Sequence, residues 1–161
     1  YDAMPLLQEF PNLIITRTFS KAFSGAGLRL GYLSGTPAVV NEINKIKLPY
    51  NINFFSEHVA SVLLRNLAVV EERLALIKAE RGSLYEFLQK LPFDNVYPSA
   101  ANFILVRCRA QKRLFNELKK TGILVRDVSS YPMLENCVRI SIGSTEENAV
   151  LKKALRSFFA S

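Results

Sequence analysis

Lys21 and Arg29 stand eight residues apart in TFSKAFSGAGLRLGY (Thr18–Tyr32), with Thr18 and Ser20 just ahead of the lysine and Gly25 and Gly27 between the two cations. A lysine amine attacks carbonyls to form a Schiff base, provided that it is partly neutral. Desolvation or a neighbouring positive charge favours the neutral form. Two hydroxyls and a guanidinium fork are good ligands for a dianionic phosphate. Glycines at 25 and 27 would let the chain turn tightly between lysine and arginine. The spacing therefore suits a site that holds an aldehyde and a phosphate together. A solvated Ser-Lys pair on a surface is the simpler reading of the dipeptide alone. What argues against it is context, since the segment is flanked by two strand-like runs.

Those runs are the elements that must position the chemistry. NLIITRTF (Asn12–Phe19) is rich in β-branched and aromatic residues and reads as a buried strand, with Lys21 just past its end. LRLGYLSG (Leu28–Gly35) reads as a second strand, and Thr36 with Pro37 starts a helix over AVVNEINKI that stops before Pro49. Ser56 is expected to cap a helix reaching about Asn66. A longer helix follows from about Val69 to Leu91, with Leu74, Ile77, Leu84 and Leu88 near one face. Beyond Pro92 strands and helices mix: strands at Asn102–Arg107, Ile123–Val128 and Val138–Gly143, a helix closed by Gly122, and a last helix capped by Ser144 or Thr145. This pattern predicts a small α+β lobe.

Composition narrows the classes. The 161 residues carry a formal charge of +7, but the basic residues are scattered, which suits attraction of a small anion better than nucleic acid. No apolar run is long enough to span a membrane. The first residues, YDAMPLLQEF, show no leader pattern and no initiator Met, so the chain is expected to be part of a longer protein. Cys108, Cys137 and the single His58 offer neither a disulfide framework nor a metal-ligand pattern, and reduced cytoplasmic thiols are expected. His58 reads as helix packing or surface, Cys137 as a small buried residue, and Phe54 and Phe55 as core or interface.

Arg126 and Arg139 fall in two strands of the C-terminal lobe. Neighbouring strands lie ~4.8 Å apart, so arginines at matched heights can converge on one anion. On spacing alone, a surface arginine paired with Asp127 or Glu135 comes first.

The pattern T-x-S-K-A-F-x-x-A-G-L-R-x-G-Y resembles the lysine segment of the fold-type I, pyridoxal-phosphate-dependent aminotransferases. LPYNIN (Leu48–Asn53), SAANFILVR (Ser99–Arg107), ILVRDVSSYP (Ile123–Pro132) and CVRISIGSTEEN (Cys137–Asn148) are similar to the histidinol-phosphate branch of that family, in its order. The resemblance covers essentially the whole chain. It implies an α/β fold in three parts: residues 1–55 from the large cofactor domain, 56–91 as a helical connection, and 92–161 as the small α+β C-terminal domain. It implies pyridoxal phosphate bound covalently to Lys21, with its phosphate held by Thr18, Ser20 and Arg29. Tyr50 would line the substrate pocket, and Arg126 and Arg139 would grip the substrate's anionic end, which reverses the order reached from spacing. Gly31, Tyr32 and Asn102 match the pattern without an evident chemical role.

The implied reaction is amino transfer between histidinol phosphate and 2-oxoglutarate in a cytoplasmic homodimer, without metal, nucleic acid or membrane. Decarboxylation of a phosphorylated amino acid, another aminotransferase of the family, and a binding module without catalysis are the alternatives. The last sits poorly with an intact Lys21, Arg29 and Arg139. Such enzymes need about twice this length, so the N-terminal half, with the acid that pairs with the pyridine nitrogen, is expected to be missing. The piece alone is expected to be inactive or unstable.

Overall fold

The computed structural model describes residues 2–160. The chain divides into two compact units, one running to Glu71 and the other starting at Glu72.

In the first unit a 3-10 turn, Met4–Gln8, precedes strand β1 (Ile15–Thr18), a second 3-10 turn (Ala26–Leu28), strand β2 (Gly31–Ser34), helix α1 (Pro37–Ile46) and helix α2 (Phe54–Arg65). β1 and β2 are antiparallel, with Ile15 opposite Ser34 and Thr18 opposite Gly31. Both strands are shorter than the sequence suggests. β1 is not a buried strand, because only Ile15 is buried and the next three residues are exposed. An apolar run marks a buried strand only when sheet neighbours and helices cover both faces, and here β2 is its one sheet partner among the described residues.

Thr36 precedes α1 in extended conformation, as expected of a cap, and Pro37 opens the helix. Its hydroxyl does not cap, however; it donates to Pro11 O at 2.9 Å. The cap of α2 is Asn53 rather than Ser56. Asn53 Oδ1 accepts the Ser56 N–H at 2.9 Å, which frees the Ser56 hydroxyl for another partner. Helix α3 (Leu67–Gln89) starts two residues earlier than read and ends before Pro92.

The second unit is a four-stranded antiparallel sheet in the order β3-β4-β6-β5, made of β3 (Asn95–Val96), β4 (Phe103–Arg107), β5 (Arg126–Asp127) and β6 (Cys137–Ser141). Helices α4 (Gln111–Lys120) and α5 (Thr145–Ala160) complete it. Side chains alternate across a strand. Ile104, Val106, Val138 and Ile140 therefore share one face and are fully buried with Leu84 and Leu88 of α3, Leu114 and Leu118 of α4, and Leu151 and Leu155 of α5. The opposite face carries Leu105 and Arg139, both half-buried.

Gly122 ends α4 in the left-handed region at φ 80°, the conformation a helix C-cap favours in glycine. At the start of α5, Ser144 Oγ accepts the Glu147 N–H at 3.2 Å, and Glu147 Oε2 accepts the Ser144 N–H at 2.8 Å. This reciprocal pair is a capping box, with Ser144 as the cap.

Candidate active site

The β1–β2 register builds the candidate group of the first unit. Pairing Thr18 with Gly31 closes a loop over residues 19–30, which carries Ser20, Lys21 and Arg29. Phe19 N–H donates to Leu30 O at 3.0 Å and Gly25 N–H to Phe19 O at 2.8 Å, so the loop is pinned at its base and middle. Phe19 is buried, with its ring 4.6 Å from that of Phe23. Thr18 Oγ1 donates to Ser20 Oγ at 2.8 Å and accepts the Ser20 N–H at 3.0 Å, which holds the two hydroxyls side by side.

Gly31 has a role that its place in the motif did not suggest. A Cβ there would lie 2.6 Å from Arg17 O, closer than any side chain tolerates. At Gly25 a Cβ would meet Phe19 O at 2.9 Å, so that turn needs glycine for close approach. Gly27 has open space around it and is not required by the turn. The left-handed residues in the loop are Ser24, at φ 53°, and Arg29, at φ 52°. A non-glycine residue there costs about 1–2 kcal/mol, and such strain concentrates at functional sites.

Arg29 Nη1 donates to Ala26 O at 3.2 Å, and the rest of its fork has no protein partner among the described residues. Lys21 is exposed, and its ammonium makes no hydrogen bond or ion pair among them. The desolvation that Schiff-base chemistry calls for is thus not supplied by these residues. The donor types carried by this loop, two paired hydroxyls, a guanidinium and a free lysine, fit a phosphate-bearing aldehyde such as pyridoxal phosphate. Tyr50, in the loop between α1 and α2, is 95% exposed and is brought against none of these groups.

A separate candidate group lies in the other unit. Arg126 and Arg139 are direct register partners across β5 and β6, so both side chains belong to the same face of the sheet. β5 is only two residues long, and Leu124 ahead of it is exposed, yet the matched height expected of the arginines holds. Neither arginine has a carboxylate partner among the described residues. Asp127 instead accepts from Ser129 N and Oγ at 2.8 and 2.6 Å, and these bonds hold its carboxyl below the usual range. Arg139 lies over the Phe103 ring at 5.1 Å, and its Nε is buried without a hydrogen-bond partner. Like charges directly opposite one another destabilise a sheet. An anion between them would reverse that penalty.

Other candidates take no part. His58 is exposed on α2, stacked on Phe54 with ring centroids 6.0 Å apart. Phe54 and Phe55 are not core: they are 74% and 77% exposed. Cys108 and Cys137 are buried free thiols, and burial pushes the Cys108 thiol up. Asn102 is exposed, and its carbonyl accepts from Ile142 N at 2.9 Å, a structural bond. No three described His, Cys, Asp or Glu residues cluster as a metal site, and no described helix is long and apolar enough to cross a membrane.

The family described as aminotransferase class I and II matches residues 1–157, and the chain belongs to it. Its fold class is α/β, a part of the fold-type I aminotransferase architecture. Histidinol-phosphate aminotransferase of Chromobacterium violaceum is 43% identical over 157 residues, which cover 97% of this chain and 44% of that protein. The chain thus spans less than half the length of this relative. Among solved structures, the histidinol-phosphate aminotransferase from Clostridium acetobutylicum matches with a TM-score of 0.89 and 28% identity, over 99% of this chain and 49% of that one. A decarboxylase from Sulfurospirillum multivorans matches at 0.86 and 28%, over 99% and 47%. The Sinorhizobium meliloti histidinol-phosphate aminotransferase, in complex with pyridoxal-5'-phosphate, matches at 0.77 and 27%, over 92% and 42%.

Proposed function

We propose that the whole protein transfers an amino group between L-histidinol phosphate and 2-oxoglutarate, with pyridoxal phosphate anchored covalently at Lys21. The observation that carries the choice of a phosphate-bearing substrate is the opposed pair Arg126 and Arg139, two like charges with no carboxylate between them among the described residues. The name borne by the 43%-identical relative supports the same substrate.

Thr18 Oγ1, Ser20 Oγ and the Arg29 fork hold the cofactor phosphate in this reading. Exchanging their mutual bond for bonds to a dianion costs the two hydroxyls little, because each acts as both donor and acceptor. When bound, the cofactor's protonated ring withdraws electrons from the substrate carbon. Once freed by the incoming substrate amine, Lys21 Nζ would take the proton from that carbon and return it two bonds along, a 1,3 shift. Arg126 and Arg139 hold the phosphate of one substrate and a carboxylate of the other in turn, and Tyr50 lines the substrate side.

We assign residues 1–55 to the large domain, 56–91 to the helical connection and 92–161 to the small domain. The protein is read as a cytoplasmic homodimer. The two buried free thiols suit a reducing compartment, and the exposed Phe54 and Phe55 suit a covered surface.

The test is product analysis of the whole protein. Histidinol phosphate with 2-oxoglutarate should yield glutamate, and Lys21→Ala should abolish it. The likeness to a decarboxylase favours a second reading, decarboxylation of a phosphorylated amino acid. Carbon dioxide released from a phosphorylated α-amino acid supplied in place of histidinol phosphate, with no glutamate formed from histidinol phosphate, would select it.

A further inference from the structure

The carbonyls on either side of Arg29 are both held. Leu30 O accepts from Phe19 N at 3.0 Å. Leu28 O, in the peptide that leads into Arg29, accepts from Ser56 Oγ at 2.6 Å. Ser56 is 4% exposed, and its hydroxyl is itself oriented, since it accepts from Asn53 Nδ2 at 2.9 Å. Asn53 Oδ1 meanwhile takes the Ser56 N–H. Both ends of the Asn53 amide are therefore committed to one serine.

Helix capping explains only half of this. A cap needs an acceptor oxygen, and Asp, Ser or Thr would serve as well. The Nδ2 bond does nothing for the helix end. What it does is fix the hydroxyl lone pairs, so that the Ser56 proton points at Leu28 O. That carbonyl belongs to the peptide plane whose rotation sets φ of Arg29. Arg29 sits at φ 52° and ψ 37°, where an arginine stays only if its surroundings over-determine it.

We infer that Asn53 and Ser56 are positioning residues for the phosphate-binding arginine: they lock the Leu28–Arg29 peptide and so present the Arg29 fork in one direction. The inference rests on the reading of Arg29 as a phosphate ligand. It adds a purpose to the LPYNIN segment beyond Tyr50, because the end of that segment reaches the cofactor loop through one serine.

The experiment compares affinity for pyridoxal phosphate and for pyridoxal, which lacks the phosphate, in the whole apoprotein. Ser56→Ala should weaken pyridoxal phosphate binding about tenfold, the scale of one hydrogen bond made to hold a charged group. Pyridoxal binding should stay unchanged. Ser56→Thr should restore affinity. Asn53→Asp keeps the cap acceptor and places a favourable charge at the helix N-terminus, so Tm should hold. Its carboxylate competes for the serine proton, so phosphate affinity should fall as in Ser56→Ala. In an Arg29→Gln background, neither change should cost anything further.

Two failures are distinguishable. If Arg29→Gln leaves the preference for pyridoxal phosphate over pyridoxal intact, the reading of Arg29 is wrong. If Arg29→Gln removes the preference but Ser56→Ala and Asn53→Asp keep it, the positioning role is overturned and the reading stands. Equal losses for both ligands, accompanied by a lower Tm, would mark a purely structural role and also overturn it.

Discussion

Replacing Arg126 with glutamine should have effects of opposite sign on stability and on substrate binding. Arg126 and Arg139 are register partners, and directly opposed residues have Cβ atoms about 4.5–5.5 Å apart. Taking the two guanidinium charges to be roughly 7 Å apart, the spacing of diagonal neighbours on one sheet face, sets the scale of their repulsion. Arg126 is exposed and Arg139 half-buried, which keeps the effective dielectric high. Coulomb's law then gives a repulsion of about 0.5–1 kcal/mol. Arg126→Gln removes it and should leave the ligand-free protein as stable or more stable by that amount. In the proposed reaction the same change deletes charge-assisted bonds to the substrate phosphate, worth about 1.5–3 kcal/mol. KM for histidinol phosphate should therefore rise about 10- to 150-fold. Inorganic phosphate should raise the Tm of the parent protein more than that of the variant. The assays are denaturant unfolding with and without phosphate, and initial rates over a range of histidinol phosphate. A variant destabilised by more than about 1 kcal/mol with an unchanged KM would instead mark Arg126 as a structural residue.

Two further changes probe the frame. Gly31→Ala puts a Cβ 2.6 Å from Arg17 O, an overlap with backbone that should cost about 1–3 kcal/mol and weaken cofactor retention. Gly27→Ala, with open space around it, should do neither, and equal behaviour of the two in unfolding and cofactor dialysis would count against the register. Glu80 accepts from Asn148 Nδ2 and Thr145 Oγ1, both at 2.7 Å, and the Asn148 bond first, then the Thr145 bond, holds its carboxyl below the ordinary 4.5. A folded pKa below the unfolded one gives stability that is complete above about pH 4.5 and is lost as pH falls through the lowered value. Glu80→Gln should flatten that acid limb in unfolding curves taken between neutral pH and pH 3; an unchanged slope would show that the bonds do not couple to protonation.

Local signals made most elements legible. Helical spacing, Pro37, Pro49 and Pro92, and a cap at Ser144 or Thr145 placed the helices to within a few residues. Partners distant in sequence were not legible. Ser56 looks like a cap because serine is a favoured one, but its hydroxyl is spent on Leu28 O, 28 residues away. Nothing within the α2 segment marks that bond. Gly31 shows its purpose only once Arg17 lies across from it. The apolar run of β1 promised burial that the described residues do not provide. β3, two residues between Pro92 and Pro98, is too short to leave a periodic trace. In the candidate site, residue types singled out Thr18, Ser20 and Arg29 as candidate phosphate donors and Arg126 and Arg139 as a pair. The structure added the register that brings Thr18 to Gly31 and Arg126 to Arg139, the left-handed Arg29, and the exposure of Lys21 and Tyr50.

Borohydride trapping checks the proposal that Lys21 anchors pyridoxal phosphate covalently. The whole protein is incubated with the cofactor, reduced and digested, and the modified residue is located by mass spectrometry. Label confined to Lys21, and lost in Lys21→Ala, is the predicted result. Label spread over surface lysines, or unchanged in Lys21→Ala, would contradict it.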